Sequence, residues 1–248
     1  MTDRMFLLSP EQWGVAGPGD TVVLSGTEAR HAVQVVRFGV GERVLLSDGA
    51  GRRATSEVTS VGKDELTARL LEVESVPEPS PRLVLVQALA KGDRDEQAIE
   101  AATELGVDEV VPWQAARSIV QWRGDDREAK GRLRWVALVA AAAKQSRRSR
   151  VPVVAPLERQ ADLCERVASA ALALVLHEDA TEPLAAVVLP RSGDVVVVVG
   201  PEGGITAEEL AVLSGAGATV VRLGAEVLRS STAGPAALAV LSAVARWR

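Results

Sequence analysis

The chain has 248 residues, 47% hydrophobic and 25% charged, with a formal net charge of −5. That length suits one large domain or two modest ones with a proper core, and the composition excludes disordered and fibrous classes. No apolar run reaches the ~20 residues of a membrane span, residues 1–10 carry no leader-like core, and the single cysteine, Cys164, excludes an internal disulfide, so a reducing cytoplasm is expected. With one cysteine and two histidines, no metal site is expected.

Taken in order, β-rich runs at 21–24, 43–47, 54–59 and 65–73 are preceded or separated by Gly17-Pro-Gly19, Asp48-Gly49 and Gly62-Lys63, which predicts a small barrel. Residues 27–37 differ: Thr27 is a helix N-cap and a helical apolar period follows. Three prolines in Ser75-Val-Pro-Glu-Pro-Ser-Pro81 form a stiff linker. The expected domains are therefore 1–74 and 82–248, joined by 75–81. Beyond the linker, strands at 83–88, 107–111, 171–176, 194–199 and 219–223 alternate with helices at 93–105, 127–143, 157–168, 182–188, 206–215 and 230–247. Continuous Val/Leu strands between helices predict an α/β domain with a mostly parallel sheet.

A negative net charge argues against a polyanion partner, but the distribution reverses this. Between Arg117 and Arg150 stand ten basic residues against three acidic ones, a local charge of +7. Its densest part, Lys144-Gln-Ser-Arg-Arg-Ser-Arg150, has four cations and no acid to pair them. Distant carboxylates are screened within about 10 Å, so this segment is read as phosphate-binding, with a solvated helix face as the alternative.

In an open parallel sheet, ligands bind beyond the carboxyl ends of the strands. Three such ends carry suggestive residues: His177-Glu-Asp179, Gly200-Pro-Glu-Gly-Gly204 and Gly224-Ala-Glu-Val-Leu-Arg229. One glycine turn alone is only a turn. Two at successive strand ends make a pocket where backbone groups can approach a flat ligand. The segment after the first strand, Leu89-Ala-Lys-Gly-Asp93, is not a dinucleotide fingerprint, and no Gly-x-x-x-x-Gly-Lys-[Ser/Thr] occurs. That disfavours NAD and ATP.

The combination Gly200-Pro-Glu-Gly-Gly-Ile-Thr-Ala-Glu-Glu209 with Leu223-Gly-Ala-Glu-Val-Leu-Arg-Ser-Ser-Thr-Ala233 resembles the trefoil-knotted (SPOUT) methyltransferases. More specifically, it resembles the ribosomal RNA small-subunit methyltransferase E family. Further stations follow that family in order: His31-Ala-Val-Gln-Val-Val-Arg37, Lys91-Gly92, Thr103-Glu-Leu-Gly106 and Lys144-Gln-Ser-Arg-Arg-Ser-Arg-Val-Pro152. The resemblance implies a PUA-like barrel, a knotted α/β domain with helices on both sheet faces, and a homodimer with its site at the interface. It implies methyl transfer from S-adenosylmethionine to N3 of a uridine in 16S rRNA, within the small subunit or a late precursor. It also implies a cofactor lying against His177, Gly200, Gly203, Gly204, Leu223, Gly224, Leu228, Thr232 and Ala233. The chain departs from the family pattern at Glu226, where a basic residue is expected, and at Ser230-Ser231, where Thr-Glu is usual.

Methylating N3 requires loss of a weakly acidic proton, so a base or a charge-stabilising group is needed. Arg229 is the first candidate for stabilising the uridine anion or gripping a phosphate, against a helix-terminus salt bridge. Glu202 is the second, as proton acceptor or sulfonium partner, against an N-cap role. Arg147, Arg148, Arg150 and Lys144 would hold RNA, with His31 and Arg37 touching it from the barrel or merely packing there. His177 is read as pocket lining. The competing functions are a non-catalytic RNA-binding assembly factor, methylation of another base, and an α/β enzyme using Gly200–Gly204 as an anion nest.

Overall fold

The computed structural model describes residues 3–247; Met1, Thr2 and Arg248, the outer ends of the two expected domains, lie outside the described residues. Packing divides the chain into two units, Met1–Glu78 with Ala143–Val151, and Pro79–Ala142 with Pro152–Arg248.

The first unit contains β1 (Met5–Leu7), α1 (Pro10–Trp13), β2 (Thr21–Ser25), α2 (Gly26–Arg30), a π-helical stretch His31–Val36, β3 (Arg43–Ser47), β4 (Arg52–Val61) and β5 (Glu65–Ser75). The strands form a mixed sheet in the order β1-β3-β4-β5-β2, parallel only between β1 and β3. Alternate residues point inward: Val22 and Leu24, Val44 and Leu46, and Leu66, Ala68 and Leu70 join Phe6 and Trp13 in one core. Removing each large side chain from water stabilises the unit by roughly 1.5–3 kcal/mol. Residues 143–151, which the sequence groups with the second domain, are bonded into this unit instead. Val151 N–H donates to Gly49 O at 2.9 Å and Gly51 N–H to Ser149 O at 3.0 Å, while the Ser47 hydroxyl donates to Ser149 O at 3.1 Å. The turn between β3 and β4 thus finds its partners far along the chain.

The second unit comprises β6 (Arg82–Ala88), α3 (Arg94–Glu104), β7 (Glu109–Trp113), α4 (Asp125–Gln145, of which 143–145 group with the first unit), β8 (Val153–Val154), α5 (Gln160–Ser169), β9 (Leu172–Leu176), β10 (Glu182–Pro183), β11 (Asp194–Val199), α6 (Ala207–Gly215), β12 (Thr219–Arg222) and α7 (Ser230–Ala245). Its sheet runs β10-β12-β9-β11-β6-β7-β8 with every pairing parallel. Val84, Val86, Val196 and Val198 pack on one face with Leu163 and Val167 of α5 and Leu213 of α6. The opposite face of β6 and β11 meets α7, and α3 packs on β6 and α7. Burial on both faces is why these strands read as continuous apolar runs. The expected α/β fold with a parallel sheet is the one observed.

Two expected helices are corrected. The segment 182–188 is β10 followed by a single 3-10 turn, Leu184–Ala186. Pro183 lacks an N–H and biases Glu182 to extended backbone, so the pair aligns with Val221 and Arg222 of β12. The helix expected from 157 begins at Gln160, because Glu158 continues the pairing beside β7, donating its N–H to Pro112 O at 2.9 Å and accepting from Gln114 N–H at 2.9 Å.

Candidate functional site

The carboxyl ends of β9 and β11 and the segment entering α7 converge on a cavity of about 620 Å³, within the usual range of small-molecule sites. His177, Gly200, Gly203, Gly204, Leu228 and Ala233 line it, together with Glu202 and Arg229. Leu223 and Gly224 line an adjoining cavity of about 80 Å³ that shares His177, Leu228 and Ala233 with the first. Thr232 lies in the first turn of α7, exposed and outside both walls. The sequence-expected set is therefore brought together except for Thr232.

Local structure explains each position. Val195–Val199 is buried and fixes where Gly200 emerges. Gly204 N–H donates to Pro201 O at 2.9 Å, closing a turn. Thr206 then caps α6: its hydroxyl accepts from Glu209 N–H at 3.1 Å, and the Glu209 carboxylate accepts from Thr206 N–H at 2.9 Å. The helix cap is thus Thr206, not Glu202. The Glu202 carboxylate instead accepts from Lys91 N–H and from the Arg94 guanidinium, each at 3.0 Å. His177 Nδ1 accepts from Asp179 N–H at 3.2 Å, which leaves Nε2 to carry the proton of the neutral ring. Arg229 is the N-cap of α7, is exposed, and forms no ion pair among the described residues.

Sequence reasoning missed Arg94 and Arg117, which also line the large cavity. Both follow carboxyl ends of strands, β6 and β7, so the strand-end rule applied to every strand would have found them. Beneath the β6–α3 connection, Asp95 is buried and its carboxyl is pushed above the ordinary range by desolvation, against the pull of hydrogen bonds from Ala90 and Glu96 N–H.

The residues expected to hold RNA all fall in the first unit. His31 meets Phe6 edge-on, with ring centroids 5.7 Å apart, and Arg37 ends the π-helical stretch at φ 62°. The expectation that the basic run has no acid to pair it is overturned. Lys144 is paired with Glu28, whose other oxygen accepts from Leu7 N–H at 3.1 Å. Arg150 donates to Val76 O at 2.9 Å and lies 3.8 Å from Glu78. Arg148 is half-buried. Arg147 is exposed at φ 56° and lines a groove of the first unit with Arg53, Glu72 and Glu74. The acids come from elsewhere in the fold, where a scan within the run does not reach.

Residues 77–242 match the RNA methyltransferase domain family, and residues 24–71 the RNA methyltransferase PUA domain family. The chain is 46% identical to the ribosomal RNA small subunit methyltransferase E of Mycobacterium bovis over 92% of its length and 89% of the relative's. The Bacillus subtilis protein of that name is 32% identical over 90% of each chain. The chain belongs to the ribosomal RNA small subunit methyltransferase E family. The crystal structure of the Neisseria gonorrhoeae member, bound to S-adenosyl methionine, superposes with a TM-score of 0.84 at 31% identity, covering 98% of each chain. The first unit is accordingly PUA-type and the second is the RNA methyltransferase domain of the family. Among the described residues no helix is long and apolar enough to cross a membrane.

Proposed function

We propose that the chain transfers a methyl group from S-adenosylmethionine to N3 of a uridine in 16S rRNA, in the small ribosomal subunit or a late precursor, as a cytoplasmic homodimer. The observation that carries this reading is the glycine-walled cavity with Arg229 at its edge, in a chain of this family. The residues present fit the cofactor. Leu176, Val199, Ile205 and Leu228 offer an apolar wall, Glu178 and Asp179 offer negative charge that suits a cationic ligand, and Gly200, Gly203, Gly204 and Gly224 leave backbone accessible. The buried Ser230 hydroxyl in the cavity wall has no hydrogen-bond partner among the described residues, a donor suited to a ligand acceptor. Bound there, S-adenosylmethionine supplies an electrophilic methyl group.

The chain's own contribution is to hold the acceptor nitrogen in line and to stabilise charge on the uracil oxygens as N3 gives up its proton to water. Arg229 is assigned that second role. Arg94 is engaged with Glu202 and Arg117 with Gly203 O, so Arg229 is the cavity cation left for the substrate. Glu202, already accepting two hydrogen bonds, is assigned to shaping the wall rather than to taking the proton. Arg147 and its neighbours, with His31 and Arg37, would give the PUA-type unit its grip on RNA phosphates.

The test is isotope-labelled methyl transfer to small subunits from cells lacking the gene, followed by nuclease digestion and mass mapping. A labelled 3-methyluridine in 16S rRNA is expected, reduced a hundredfold or more in rate by Arg229→Ala. Binding without any transfer would leave the assembly-factor reading, and a different methylated base would replace the acceptor. Sedimentation at micromolar concentration should give a dimer.

A further inference from the structure

The turn that walls the large cavity is held in shape by groups that follow the ends of β6 and β7. Pro201–Gly204 carries two consecutive glycines, and Gly204 sits at φ +75°, so the peptide between them has no side chain to fix its orientation. Hydrogen bonds do so instead: Gly204 N–H closes the turn on Pro201 O at 2.9 Å, and three more bonds reach the turn from outside it. Arg117 Nη1 donates to Gly203 O at 2.8 Å, and its stem lies so close that a Cβ on Gly203 would stand 3.1 Å from Arg117 Cβ. The preceding Glu202 is fixed by Lys91 N–H and Arg94, each at 3.0 Å. The segment bearing Arg117 is itself anchored, because Ala116 N–H donates at 2.7 Å to Glu209, the carboxylate that closes the cap of α6.

We propose that Arg117 is a positioning residue, a clamp that orders the Gly200–Gly204 turn before the cofactor arrives. The proposal rests on the reading of this cavity as the S-adenosylmethionine site. The guanidinium suits the task because it is always charged and presents its donors in a rigid plane, giving a charge-assisted bond to the carbonyl of a peptide that is otherwise held only through Gly204 N–H on Pro201 O. Since its partner is the protein's own backbone, its effect falls on the order of the free protein and on cofactor affinity, while the transfer step is left intact.

Arg117→Met keeps the stem and removes the donors, whereas Arg117→Lys keeps one. Three measurements are made on the whole chain: amide hydrogen exchange across 200–206 without ligand, titration calorimetry with S-adenosylhomocysteine, and steady-state kinetics. For Arg117→Met we expect faster exchange confined to the turn and cofactor-product affinity weaker by about ten- to a hundredfold, the range for one hydrogen bond to a charged group. The kcat at saturating cofactor should stay within about threefold of wild type, and Arg117→Lys should recover most of the affinity. Unchanged exchange and affinity in the methionine variant would overturn the proposal, as would a lost kcat at unchanged affinity or a lysine variant no better than methionine. Failure of the wild-type chain to bind S-adenosylhomocysteine would instead remove the cofactor reading on which it rests.

Discussion

Gly224→Val separates space needed by a ligand from space needed by the fold. Gly224 does not have a left-handed φ, and the nearest atom to an added Cβ is a Glu226 carboxylate oxygen at 3.5 Å, ordinary contact with a movable side chain. The ligand-free chain should therefore melt within about 2 °C of wild type, since for a chain of this size each kcal/mol corresponds to about 2–4 °C. A cofactor lying against this strand end meets three new carbon atoms, an overpacking of about 1–3 kcal/mol, or roughly five- to 150-fold in affinity. Gly200→Ala is the contrast. Its Cβ would stand 2.7 Å from Ile205 Cγ1 and 3.4 Å from Ile205 N, so the same 1–3 kcal/mol should be lost from the folded protein without any ligand. Gly203 is a poorer probe because valine there would press on Arg117. Thermal melting with titration calorimetry against S-adenosylhomocysteine reads both effects. Near-normal affinity in a folded Gly224→Val chain would remove Leu223 and Gly224 from the cofactor wall, and early melting would refute the open space assigned to them.

Three further outcomes are expected. Arg147→Gly suits the positive φ of 56°, so stability should hold or rise while the slope of log affinity for rRNA against log salt falls by roughly 0.7–0.9; an unchanged slope returns Arg147 to a solvated role. Lys144→Met strands Glu28 in a half-buried site and should cost the N-terminal unit about 1–3 kcal/mol in urea melts, whereas a loss of RNA affinity at unchanged stability would restore Lys144 to phosphate binding. Asp95 has a raised folded pKa, so its contribution is fully present below the ordinary carboxylate range and fades as pH rises through the folded value. Asp95→Asn, neutral throughout, should thus gain stability relative to wild type at pH 7, with the difference closing towards pH 4; a difference that does not change with pH would contradict the desolvation of this carboxyl.

Much of the second unit was legible from its residues because local chemistry and global burial agree there. Val195–Val199 is a strand by composition and is buried on both faces, and glycines at the ends of β11 and β12 fall where a parallel sheet places its ligands. The expected cofactor contacts could be named residue by residue only through the family motif, and of these Thr232 does not line either cavity. Short elements escaped notice. The strand β1 has three residues, too few for a period, and β8 has two, held by β7 rather than by its own propensity.

What the sequence by itself determined was the order of the longer strands and helices, the strand-end glycines and the excess of cations between 117 and 150, since each depends on neighbours within a few residues. Tertiary structure alone decided which charges are engaged. Glu28 meets Lys144 across 116 positions, and Glu202 meets Arg94 across 108. It also decided that 143–151 joins the first unit through Gly49 and Gly51, and that Arg117 meets Gly203 O. A hydrogen bond depends on separations of about 3 Å in space, and chain distance carries no record of them until the sheet has brought its strand ends together.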